Sequence, residues 1–154
     1  LPDYAIADYW NDISAAAPNT DFIIYNIPQL AGVALTLPLY KKMLENPRVI
    51  GVKNSSMPVQ DIQMFKDVAG DDSVVFNGPD EQFAGGRIMG ADAGIGGTYA
   101  VMPELFLAVD KAVCTGDFKK AKEILRGKGM DIGGVRKPLP EIYGGTVDCG
   151  SPSF

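Results

Sequence analysis

Apolar positions in this chain switch repeatedly between two periods, and the switching predicts its elements. Ile6, Trp10, Ile13 and Ala17 recur at i, i+4, i+7 and i+11, the spacing of one helix face, and Pro18 ends the run. "DFIIYNI" at 21–27 then reads as a short strand buried on both faces and stopped by Pro28. Thr36 can cap a second helix, whose Tyr40, Met43 and Leu44 share a face. "RVIGVKN" at 48–54 is a second strand, and Ser56 and Pro58 open a helix with Val59, Ile62 and Phe65 on one side. "SVVFNG" at 73–78 is a third strand, Asp80 to Met89 a short helix, and "DAGIGG" at 92–97 a fourth strand. Met102, Phe106, Val109 and Val113 mark a longer helix, and Phe118, Ala121, Ile124 and Leu125 another beyond Gly116. Strand and helix alternate four times, which predicts an α/β fold with a parallel sheet and helices outside it. Residues 1–126 contain no low-complexity linker and form one such unit. Residues 127–154 are rich in Gly and Pro and read as an irregular C-terminal segment.

Composition narrows the function classes. The 154 residues are 46% hydrophobic and 21% charged, enough to bury the core of one globular domain. Lys and Arg number 14 against 19 Asp and Glu, a net charge of −5 without a basic cluster, so no nucleic-acid partner is expected. The chain has no His, and Cys114 and Cys149 lack a CxxC spacing, so no metal site, reduced thiols and a cytoplasmic setting are expected. No apolar run reaches 18 residues and no basic-then-apolar leader opens the chain, which argues against a membrane partner and against secretion. A start at Leu1 rather than Met suggests a fragment.

In parallel α/β folds the ligand site forms at the carboxyl ends of the strands. Those ends are Tyr25-Asn26, Lys53 to Ser56, Asn77 to Glu81 and Gly94 to Thr98, all polar or glycine-rich. A lysine at a strand end ordinarily reaches out to water. The other reading of Lys53 is an amine partly desolvated by Val49, Ile50 and Val52, able to attack a carbonyl in its neutral form. Tyr25 is open in the same way, as a core-edge residue bonded to backbone or as an acid–base group. "GADAGIGGTY" at 90–99 fits neither GxGxxG nor a P-loop, and its glycines suit a close approach of backbone N–H groups to a ligand. Asp80 and Glu81 stand at a helix start, where the helix dipole favours carboxylates with or without a ligand.

The order and spacing of "YNIP" at 25–28, "GVKNSS" at 51–56, "FNGPDE" at 76–81 and "GADAGIGGTY" at 90–99 resemble the second half of the N-acetylneuraminate lyase and dihydrodipicolinate synthase family, the pyruvate-dependent class I aldolases. The resemblance runs over about residues 4–125. It implies a TIM barrel of parallel (β/α) units, of which this chain would hold strands five to eight only, a half barrel. It also implies that Lys53 forms a Schiff base with pyruvate or a 2-keto acid derived from it, and that Tyr25 carries the proton during carbon–carbon bond cleavage or formation. Backbone around Ile95 would face the pyruvate carboxylate. The covalent Lys53 adduct would replace any cofactor.

The remaining rims speak to the second substrate. Leu30 stands where the synthases resemble one another in carrying an arginine for a second carboxylate, whereas the lyases are apolar there. "GPDE" is similar to the lyase segment that holds sugar hydroxyls, so Gly78, Asp80 and Glu81 carry over, and Ser55 falls where the lyases have a threonine. Gly97 departs, since the lyases have a serine there. The reading is therefore a lyase acting on pyruvate and a sugar-derived aldehyde. The alternatives are a synthase-type condensation with aspartate semialdehyde and a catalytically silent scaffold. A full barrel takes about 250 residues. The first four strands, with the hydroxyl-rich loop that clamps the pyruvate carboxylate, are absent, and the helical pair that family members have beyond "DFKKAKEIL" is missing. Open strand edges then predict a homo-oligomer or an aggregating monomer.

Overall fold

The structure, a computed structural model, describes residues 1–127 in two compact units, Leu1–Gly96 and a second beginning at Gly97. The segment read as irregular lies outside the described residues from 128 on, as does Cys149.

The first unit holds α1 (Asp3–Ala16), β1 (Phe22–Asn26), α2 (Pro28–Ala31), α3 (Leu37–Met43), β2 (Val49–Asn54), α4 (Gln60–Ala69), β3 (Val74–Asn77), a 3-10 turn (Asp80–Gln82), α5 (Phe83–Ile88) and β4 (Ala93–Gly94). Its four strands are all parallel and lie in chain order, so each follows its neighbour through a helical crossover. This is the parallel α/β sheet that the alternating periods predict.

The register places side chains in two rows. Tyr25, Lys53, Phe76 and Ala93 are aligned across the sheet, and Asn26, Asn54, Asn77 and Gly94 form the next row. Because side chains alternate along a strand, the two rows face opposite sides. The helix side is closed: Ile24, Val52 and Val75 are buried there with Ile6, Leu39, Tyr40, Met43, Ile62 and Phe65 in one apolar core. The other side is open, with Ile23 and Tyr25 exposed and Lys53 half-buried. The doubly buried strand expected at 21–27 is thus one-sided here.

Local chemistry accounts for several boundaries. Thr36 caps α3, its hydroxyl accepting from the Leu39 N–H at 3.2 Å. Gly51 has no room for a Cβ, which would run into the Val74 carbonyl of the adjoining strand. Lys66 of α4 grips Asp92 ahead of β4 at 3.0 Å, and Asp92 accepts from the Val75 N–H at 2.7 Å. That clamp fixes the amino-terminal end of β3 away from the polar rims.

The second unit contains α6 (Gly97–Val101), α7 (Pro103–Cys114) and α8 (Phe118–Gly127), with α7 packed on α8. Leu105, Phe106, Val109, Ala112 and Ala121 are buried, and the Tyr99 ring lies 4.4 Å from that of Phe106. The expected strand 92–97 shortens to Ala93–Gly94, because Gly97 already starts a helix. α2 and α6 are short helices inside stretches read as loop or strand. One expectation is corrected: Cys114 is disulfide-bonded rather than a reduced thiol.

Candidate active site at the carboxyl ends of the strands

Lys53 and Tyr25 are register partners on adjacent parallel strands, each one residue from its strand's end. Parallel pairing brings their side chains to the open side together. The Lys53 Nζ stands 4.0 Å from the Tyr25 ring centroid, over its face, a cation–π contact. No carboxylate pairs with Lys53 among the described residues. Tyr25 is 51% exposed, yet its phenol titrates below the usual 10.0. The first cause is hydrogen bonding from Lys53, the second hydrogen bonding from Ser55, and the lysine charge adds to both. A phenol, an amine and a hydroxyl thus converge at the ends of two strands.

The neighbouring rim is drawn in by backbone contacts. The Gly78 N–H donates to the Asn54 carbonyl at 2.8 Å, and a Cβ at Gly78 would overlap the Ser55 Oγ. Glycine at this position lets the end of β3 lie against the loop that carries Ser55. Asp80 and Glu81 follow on the 3-10 turn, Glu81 exposed and Asp80 half-buried. Gln82 closes that turn and donates to the Met57 carbonyl at 2.7 Å, tying the two rims. The Ile95 N–H continues the ladder onto the Asn77 carbonyl at 3.0 Å. Tyr25, Lys53, Ser55, Gly78, Asp80, Glu81 and Ile95 therefore share the carboxyl edge of one sheet. Gly97 opens α6 in the second unit.

Behind this edge lies a buried polar chain that the motifs did not single out. The Leu35 N–H donates to Asn26 Oδ1 at 3.0 Å, and Asn26 Nδ2 donates to Asn54 Oδ1 at 2.7 Å. Asn54 Nδ2 donates to Ser56 Oγ at 2.8 Å, and Ser56 Oγ donates to Asp61 Oδ2 at 2.6 Å. The sequence signal was the repeated Asn that ends each of the first three strands, in "YN", "KN" and "FN". Among the described residues no group of three or more His, Cys, Asp or Glu is placed to hold a metal ion.

Parallel β/α units with their polar rims at the carboxyl ends of the strands make this chain part of a (β/α)8 barrel of the aldolase type. A sequence profile of the dihydrodipicolinate synthetase family matches residues 3–135, and the chain belongs to that family. An N-acetylneuraminate lyase from Mediterraneibacter gnavus is 53% identical over 168 aligned positions, which cover 92% of this chain and 53% of the lyase. That span exceeds the 154 residues of this chain, so the lyase carries residues within it that have no counterpart here. A sialic acid aldolase from Ruminococcus gnavus, solved as a catalytic lysine mutant, superposes with a TM-score of 0.78 at 65% identity, over 80% of this chain and 41% of the aldolase. A dihydrodipicolinate synthase from Aquifex aeolicus superposes with a TM-score of 0.73 at 22% identity, over 80% of this chain and 42% of the synthase, a likeness of fold alone. The chain spans about half the length of the curated lyase and about two-fifths of these solved chains.

Proposed function

We propose that this chain carries the reacting groups of a Schiff-base aldolase that breaks or forms a carbon–carbon bond between pyruvate and a sugar-derived aldehyde, as in an N-acetylneuraminate lyase. The observation that carries this reading is the Lys53–Tyr25 pair, an amine 4.0 Å from a phenol ring at adjoining strand ends. Relatives named as N-acetylneuraminate lyase and sialic acid aldolase, the latter with a catalytic lysine, support it.

In the cleavage direction the neutral Lys53 amine adds to the ketone of a 2-keto acid, and loss of water leaves an iminium. Tyr25, as phenolate, takes the proton of the hydroxyl that becomes the aldehyde oxygen. The electron pair of the breaking carbon–carbon bond passes into the iminium, giving an enamine. Tyr25 returns its proton to the enamine carbon, and water hydrolyses the resulting iminium to release pyruvate and Lys53. A phenol titrating below its usual range suits the proton-accepting step, and Lys53 and Ser55 are what lower it. Ser55, Gly78, Asp80 and Glu81 line the side where a polyhydroxy chain would bind, and backbone around Ile95 would face the pyruvate carboxylate. Gly97 supplies no hydroxyl to that chain. Leu30, 81% exposed beyond β1, offers nothing to a second carboxylate, which favours a sugar over aspartate semialdehyde.

The lysine adduct serves in place of a metal or organic cofactor, and the working form is a homo-oligomer. For the compartment we assign the cytoplasm, with the Cys114 disulfide as the feature set against it. The reading is tested by supplying N-acetylneuraminate to the full chain and measuring pyruvate release. Release that disappears in Lys53→Ala supports it. Release that persists in that variant overturns it.

A further inference from the structure

The side-chain donors behind the sheet run in one direction, and the Ser56 backbone N–H also donates back to Asn54 Oδ1 at 3.3 Å. Leu35, Asn26, Asn54 and Ser56 each donate to the next, and the last donor meets the carboxylate of Asp61, which can only accept. Hydrogen bonds aligned in this way strengthen one another in a low-dielectric setting. Asn26, Asn54 and Ser56 are 4%, 1% and 5% exposed, so water does not compete for them. The chain crosses from the loop between α2 and α3, through both strand ends, to the first turn of α4.

Its members alternate with the candidate reacting groups. Asn26 follows Tyr25, Asn54 follows Lys53, and Asn54 and Ser56 flank Ser55. Neighbours in a strand face opposite sides, so the distance between Asn26 and Asn54 on the helix side sets the distance between Tyr25 and Lys53 on the open side. We propose that Asn54 and Ser56, anchored on Asp61, are positioning residues that hold the ends of β1 and β2 at the spacing which keeps Lys53 over the Tyr25 ring. The catalytic consequence rests on the aldolase reading, whereas the geometric one does not.

The test uses the full chain with Ser56→Ala, which removes a donor and an acceptor from the middle of the chain. Asp61→Asn, isosteric and at a partly exposed helix position, replaces the pure acceptor at its end. Absorbance titration of the tyrosines, taken as the difference from the same background carrying Tyr25→Phe, isolates the Tyr25 midpoint. We expect that midpoint to rise toward 10.0 in both variants, because Lys53 no longer reaches the phenol. Borohydride trapping with pyruvate should slow by about tenfold or more, as misplacement of reacting groups by about 1 Å does. A cooperative melt in each variant separates misplacement from unfolding, and Asp61→Asn decides the matter if Ser56→Ala does not fold. An unchanged Tyr25 midpoint in a folded variant overturns the proposal. Should the parent chain take up no pyruvate, the aldolase reading fails, and the Tyr25 midpoint still decides the positioning claim.

Discussion

Tyr40 is 0% exposed, its ring stands edge-on to Phe65 at 5.3 Å, and its buried hydroxyl has no hydrogen-bond partner among the described residues. Tyr40→Phe removes that hydroxyl and leaves the ring packing in place. A buried polar group left unpaired costs about 1–3 kcal/mol. Part of that gain is offset by the dispersion attraction forfeited around the vacated oxygen, so a net stabilisation of about 1 kcal/mol is expected, or roughly 2–4 °C in melting temperature. Alkaline pH gives a second readout. Burial first, and the charge of Asp92 second, push the Tyr40 phenol up to about 12 from an ordinary 10.0. The folded state keeps a proton that the unfolded chain gives up, so this stability is fully present below pH 10 and is lost as pH rises toward 12. Two pH units at 1.36 kcal/mol each make the full loss on the order of 3 kcal/mol, about half of it reached at pH 11. Urea unfolding of both proteins at pH 8 and pH 11 measures both effects. The Phe variant should be the more stable at pH 8 and lose less between the two. A variant less stable by more than about 1 kcal/mol at pH 8 would mean that the hydroxyl is paired, and an equal alkaline loss in both proteins would refute the titration argument.

Three further outcomes are expected. Gly78→Ala forces a Cβ against the Ser55 Oγ and the Asn54 carbonyl, so stability should drop by about 1–3 kcal/mol and Ser55 should shift, whereas an unchanged melting temperature would mean that this rim yields freely. Asp80→Ala should reduce use of the sugar-derived aldehyde by about tenfold or more, the weight of one charged hydrogen bond, and spare pyruvate trapping. Equal loss of both would count against a sugar-binding role. Light scattering should report a homo-oligomer, since β1 is an edge strand with Ile23 exposed beside it, and a monodisperse monomer would contradict this.

The parallel sheet was legible because each strand and helix carries its own period. Ile62 and Phe65 mark one face of α4, and both are buried in the core. The rims were legible because four strand ends each carry polar residues in a fixed order. What period could not give was the exposure of β1: Ile23 and Ile24 look alike in sequence, and only the sheet decides that one is 40% exposed and the other 6%. Gly97 reads as the end of a strand, yet two preceding residues suffice for β4 and the chain turns helical there. The Asn26–Asn54–Ser56–Asp61 chain was out of reach for a different reason. Side-chain pairing across 28 residues depends on strand register, and single-strand patterns do not carry it.

The proposed role of Lys53 as a nucleophile is read out by the mass of the full chain after incubation with pyruvate and borohydride. We predict one reduced pyruvate adduct on the peptide that contains Lys53, and none in Lys53→Ala. An adduct that maps to another lysine, or a chain left unmodified under conditions in which it is folded, would contradict the central claim.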